Sequence, residues 1–100
     1  EHHPDIDWGE ILYAPDRPGL SPVERIANLC GRLAGEVADA LTAREFPLVI
    51  GGDHSVAIGT WSSVAKYVGA PIGLLWLDAH MDSHTPETSH SGAIHGMPLA

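Results

Sequence analysis

Two short, unbroken apolar runs, Phe46-Pro47-Leu48-Val49-Ile50 and Pro71-Ile72-Gly73-Leu74-Leu75-Trp76-Leu77, constrain this chain more than any other feature. Each is too short to stand as a helix, each is rich in branched side chains, and each closes on a polar cluster. Runs of this kind read as strands buried on both faces of a sheet. Between them, the segment from Val56 to Tyr67 reads as a helix that stops at Gly69. Strand, helix and strand within about 30 residues make a βαβ unit, with parallel strands and a right-handed crossover. The expected fold class is therefore α/β.

Upstream, Ser21-Pro22-Val23-Glu24 is a helix start with a mechanism. Serine caps the free amides, proline sits where its missing N–H costs nothing, and Glu24 reaches back to the cap. Val23, Ile26, Ala27, Cys30, Ala34, Val37, Ala38 and Leu41 recur at the three-and-four spacing of one helical face. A helix from Pro22 to about Ala43 is predicted. Cys30 falls on that face and reads as a small buried hydrophobe rather than a nucleophile. The first 19 residues read as loop with at most one short strand, Glu10 to Tyr13, and His2 and His3 receive no role.

In open parallel sheets, ligands bind beyond the carboxyl ends of the strands. There the first run continues into Gly51-Gly52-Asp53-His54-Ser55 and the second into Asp78-Ala79-His80-Met81-Asp82. Neighbouring strands bring the two clusters together. The spacing of two places Asp78, His80 and Asp82 on one side of an extended segment. Two carboxylates and an imidazole aimed at one point repel unless a cation joins them. With His54 the donor set is nitrogen and carboxylate without thiolate, which suits Mn²⁺, Fe²⁺ or Zn²⁺. A bridging carboxylate makes a two-metal, water-activating centre the natural proposal. Taken singly, each cluster has a plainer reading, a structural histidine, a solvated acidic loop or a tight turn at Gly51-Gly52. Their conjunction at equivalent strand ends favours the metal.

Charge agrees with that choice. Thirteen acids against five bases give a net charge of −8, which repels nucleic-acid phosphates and anionic membranes and welcomes cations. With 44% hydrophobic and 18% charged residues the chain is globular in composition. A single cysteine, with no secretory signal and no apolar run long enough to span a bilayer, points to a reducing cytoplasm.

Val49-Ile50-Gly51-Gly52-Asp53-His54-Ser55 and Trp76-Leu77-Asp78-Ala79-His80-Met81-Asp82 are followed by Thr85-Pro86-Glu87-Thr88 and Ser91-Gly92-Ala93-Ile94-His95-Gly96. In this order and spacing they resemble the signatures of the ureohydrolase superfamily, which includes arginases, agmatinases and formiminoglutamases. The later stretches are most like arginase. The match is carried from about Pro47 to Ala100.

That resemblance implies a three-layer αβα fold with a mostly parallel sheet, of which residues 1–100 are an incomplete part lacking the C-terminal half. It implies a binuclear manganese centre ligated by His54, Asp78, His80 and Asp82. Asp78 bridges the ions, His54 and Asp82 serve one, and His80 serves the other. Asp82 and His95 are the catalytic residues it implies, His95 as proton shuttle. A bridging hydroxide attacks the guanidinium carbon of L-arginine, giving L-ornithine and urea. Ser89 and Ser91 fall where the family places hydroxyls for the substrate's α-carboxylate.

His84 stands where arginases typically carry asparagine, and Ala93 replaces another. Agmatine, formiminoglutamate or another guanidino acid is therefore the alternative substrate. His90 matches no role. The family's Asp-x-Asp motif and guanidinium-binding glutamate lie outside these residues, so the chain alone is expected to bind metal weakly and to be inactive. The complete enzyme is expected to be about three times longer and to form trimers or hexamers. The competing expectations are a single-zinc deacylase on the same architecture and a non-catalytic module that keeps the fold.

Overall fold

The computed structural model describes residues 6–100, so His2 and His3 lie outside it. Two helices form the framework, α1 over Pro22–Thr42 and α2 over Val56–Val68. A single 3-10 turn follows at Ile94–Gly96. Both α-helices begin where the sequence places them and end within a residue of the expected position.

The start of α1 shows why. The Glu24 N–H donates to Ser21 Oγ at 3.3 Å, while the Ser21 N–H and hydroxyl donate to Glu24 Oε2 at 2.8 and 2.7 Å. This reciprocal box satisfies amides that the helix itself leaves unpaired. The same bonds, the hydroxyl first and the amide second, hold the Glu24 carboxyl below its ordinary range. A depressed carboxylate stabilises the fold above the usual glutamate range and loses that contribution as pH falls through its lowered value. Unfolding titrations between pH 7 and 3 are expected to show this acid loss. Glu24→Gln keeps an acceptor without a titrating proton and should flatten that part of the profile.

α1 and α2 pack against one another through small residues. Cys30 and Val37 of α1 are buried, as are Ala57, Gly59 and Ser63 of α2. A β-carbon added at Gly59 would lie 2.6 Å from the Cys30 carbonyl oxygen, so only glycine permits this approach. The Ser63 hydroxyl donates to the Ala34 carbonyl at 2.8 Å, and the Cys30 thiol donates to the Ser55 carbonyl at 3.4 Å. Burial pushes the Cys30 thiol up, in keeping with a packing role. Through the Ser55 contact, α1 touches the loop that carries His54.

The strands are the correction. Among the described residues there is no β-strand, neither at Glu10 to Tyr13, nor at Phe46 to Ile50, nor at Pro71 to Leu77. A strand exists only as one side of a hydrogen-bonded ladder, and no backbone bond joins the two apolar runs. An isolated parallel pair is also too small a sheet to stand alone. The period of two nevertheless survives in the burial. Leu48 and Ile50 are 78% and 81% exposed while Pro47 and Val49 between and beside them are half-buried. Leu75 and Leu77 are 80% and 87% exposed, whereas Trp76 between them is half-buried. One set of side chains is partly covered and the other is bare. No described helix is long and apolar enough to cross a membrane.

Candidate metal centre

His54 lies in the loop that leads into α2, one residue before its N-cap, Ser55. Asp53 shapes that loop. Its Oδ1 accepts from the Ser55 hydroxyl at 2.5 Å and from the Ser55 N–H at 2.9 Å, closing an Asx turn across His54. Those two bonds, with the His95 and His54 imidazoles nearby, hold the Asp53 carboxyl below its ordinary range.

The His54 ring is thereby presented to the second cluster. Its Nδ1 is 2.7 Å from Asp82 Oδ2 and 2.8 Å from Asp78 Oδ2. These three donor atoms lie within 4.8 Å of one another. The Asp82 side chain is 11% exposed and half-buried as a residue, whereas Asp78, with its side chain 19% exposed, is an exposed residue. A single imidazole nitrogen carries at most one hydrogen, so it cannot satisfy two carboxylates at once. The surplus negative charge where two carboxylates meet one imidazole nitrogen is what a divalent cation relieves, and the donors fit one.

Asp78 also faces the other way. Its Oδ1 accepts the His80 N–H at 2.9 Å and lies 3.3 Å from His80 Nδ1. The His80 amide first, then the flanking imidazoles, keep the Asp78 carboxyl below its usual range. Of the four expected ligands, three therefore converge. The His80 side chain is 80% exposed and sits beside the far oxygen of Asp78.

The extended alternation expected of Asp78, His80 and Asp82 does not hold, and the backbone says why. The chain bends at Ala79 and His80, and Asp82 adopts a left-handed conformation with φ 49°. For a residue other than glycine that geometry is uncommon, although aspartate tolerates it better than most. It turns the Asp82 carboxylate toward His54. The Leu99 N–H donates to the Asp82 carbonyl at 2.9 Å and the His84 N–H to the Gly96 carbonyl at 3.0 Å. These two bonds hold the turn in place and fold the Ile94–Gly96 segment back beside it.

His95 is exposed on that 3-10 turn, within electrostatic reach of Asp53. Ser89 Oγ accepts from the Gly92 N–H at 3.0 Å, and Ser91 Oγ accepts from the Ala93 N–H at 3.2 Å. Both hydroxyls thus order the loop and keep a proton to donate. His84 is exposed with Nδ1 3.4 Å from Thr88 Oγ1. His90 is exposed and takes no part.

Sequence reasoning missed Trp76, whose ring stacks on His54 with centroids 4.3 Å apart and an interplanar angle of 20°. Its place two residues before Asp78 was the available signal.

The family model described as "Arginase family" matches residues 2–100. The arginase of Bacillus caldovelox is 49% identical over 95 residues, covering 95% of this chain and 31% of that protein. The arginase of Brevibacillus brevis is 58% identical over 78 residues, covering 78% of this chain and 26% of that protein. Among solved structures, native Bacillus caldovelox arginase is similar with TM-score 0.75 and 45% identity, over 95% of this chain and 31% of that one. Bacillus subtilis arginase is similar with TM-score 0.75 and 45% identity, over 81% of this chain and 28% of that one. The chain thus spans between about a quarter and a third of the length of the relatives it matches.

Proposed function

Because the chain belongs to the arginase family, we propose that it carries the first half of a two-manganese site in a longer hydrolase that cleaves a guanidino compound to urea and an amine. L-Arginine is the leading substrate, with agmatine, another guanidino acid or the formimino compound formiminoglutamate, which would give formamide in place of urea, as the alternative. The observation that supports this reading is the sharing of His54 Nδ1 between Asp78 and Asp82 while the other Asp78 oxygen faces His80.

In the complete protein the apolar runs are strands of a mostly parallel sheet in a three-layer αβα domain. The bare side chains of Leu48, Ile50, Leu75 and Leu77 support this, because they are the face a further layer covers. The protein works in the cytoplasm as a homo-oligomer, a trimer or hexamer by family resemblance.

Manganese, when bound, supplies a water acidified toward neutral pH and positive charge beside the reacting carbon. His54 Nδ1, Asp78 Oδ2 and Asp82 Oδ2 would hold one ion. Asp78 Oδ1 and His80 would hold the other, completed by ligands beyond these residues. Asp82 also serves in catalysis, where its remaining oxygen would be free to accept a hydrogen bond from water. His95, exposed on its 3-10 turn within electrostatic reach of Asp53, carries a proton on an imidazole nitrogen to the departing amine. The Ser89 and Ser91 hydroxyls and the His84 ring bind the amino-acid end of the substrate and keep it oriented.

The test is urea release by the full-length protein from arginine and agmatine, and formamide release from formiminoglutamate, with manganese and after chelation. Manganese-dependent urea from arginine supports the proposal. No urea from any guanidino substrate with both ions loaded would overturn it in favour of a non-catalytic module. One ion per subunit would favour the single-zinc deacylase instead.

A further inference from the structure

The position of the His54 ring poses a problem that its hydrogen bonds do not solve. The terminal torsion of histidine is broad, so its backbone does not set the ring plane. Asp78 and Asp82 both engage the same atom, Nδ1, at 2.8 and 2.7 Å. Two contacts at one atom fix where that atom sits and leave the ring free to rock about it. The face of Trp76, 4.3 Å away and inclined by 20°, supplies the missing constraint.

We infer that Trp76 is a positioning residue for the metal centre: its indole fixes the plane of the His54 imidazole so that Nδ1 points between Asp78 and Asp82. This rests on the metal-binding reading of His54. Trp76 and Asp78 lie two residues apart, so one short segment delivers both the stacking face and the carboxylate. The indole N–H is buried and has no hydrogen-bond partner among the described residues. What tryptophan contributes at this position is therefore ring face and not a polar contact. Residues that orient a metal-ligating histidine usually do so through its second nitrogen, whereas here the constraint falls on the ring face.

The distinction is testable with Trp76→Phe and Trp76→Leu in the full-length protein, beside His54→Ala. Phenylalanine keeps a stacking ring and removes the unpartnered N–H, while leucine keeps apolar volume without a face. Calorimetric titration with Mn²⁺ is expected to show the ion held by His54 weakened about 10- to 100-fold in Trp76→Leu, the range for loss of a ligand-orienting partner. Trp76→Phe is expected to restore parental affinity to within a few-fold. A merely structural tryptophan predicts no such rescue by ring shape, so parental affinity in Trp76→Leu, or equal losses in both variants, would overturn the inference. Parental affinity in His54→Ala instead removes His54 as a ligand, which is a failure of the underlying reading.

Should Trp76→Leu not fold, the parental site can be read by emission. With Trp8, Trp61 and any tryptophan outside these 100 residues replaced by phenylalanine, Trp76 is the remaining emitter. Quenching by paramagnetic Mn²⁺ but not by Zn²⁺ supports contact with a ligand ring, and no difference between the two ions overturns it.

Discussion

Asp78→Asn is expected to lower manganese-dependent urea release by the full-length protein more than about a hundredfold, beyond what loss of an orienting partner produces. Among the described residues, Asp78 is the one side chain that engages both the His54 and the His80 imidazoles. Its Oδ2 lies 2.8 Å from His54 Nδ1 and its Oδ1 lies 3.3 Å from His80 Nδ1. Asparagine keeps the shape and one acceptor, so the fold of the loop should persist. It removes the negative charge and turns one of the two faces into a donor, which opposes both a cation and a second N–H. Steady-state urea assays across Mn²⁺ concentration, with ions counted on the purified variant, check the expectation. Full turnover with two ions retained would remove Asp78 from the centre. Asp53→Asn is a useful contrast, because Asp53 bonds Ser55 and touches neither imidazole at hydrogen-bond distance. Its effect should be the smaller of the two.

Gly59→Ala is expected to destabilise the protein by about 1–3 kcal/mol, the cost of overfilling a close-packed contact. The sign carries the information. In an open helix position alanine is better than glycine by about 1 kcal/mol, so a position without a tight neighbour would gain stability. Here the new methyl group meets the Cys30 carbonyl at 2.6 Å and the Cys30 α-carbon at 3.1 Å. Backbone cannot swing aside as a flexible side chain does, and α1 must move off α2. That shift also disturbs the Cys30 thiol against the Ser55 carbonyl, next to His54. Urea-denaturation midpoints measure the loss, and a midpoint equal to or above the parent's would show that the helices are not held at this separation. A parallel fall in Mn²⁺ affinity is expected, because the helix contact and the ligand loop share Ser55.

The helices were legible because their signals are local. Ser21, Pro22 and Glu24 set the start of α1 within one turn, and the three-and-four spacing placed Cys30 and Val37 on the buried side. The apolar runs were legible as segments but not as strands. Their period of two is visible in the alternating exposure of Leu48, Val49, Ile50, Leu75, Trp76 and Leu77. A ladder would depend on partner strands, and no local pattern encodes those.

At the candidate site the same division holds. The sequence by itself determined which side chains are candidates for the chemistry, since a nitrogen and carboxylate donor set follows each of the two apolar runs. It did not determine which donors meet. The tertiary structure brought His54 to Asp78 and Asp82, turned Asp82 inward through a left-handed backbone pinned by Leu99, and left His80 on the far side of Asp78. It also set the Trp76 ring against His54. Spacing along a chain states the directions side chains take only while the backbone stays regular. Convergence within a few ångströms is fixed by bends and long-range bonds, and those form only when distant segments pack.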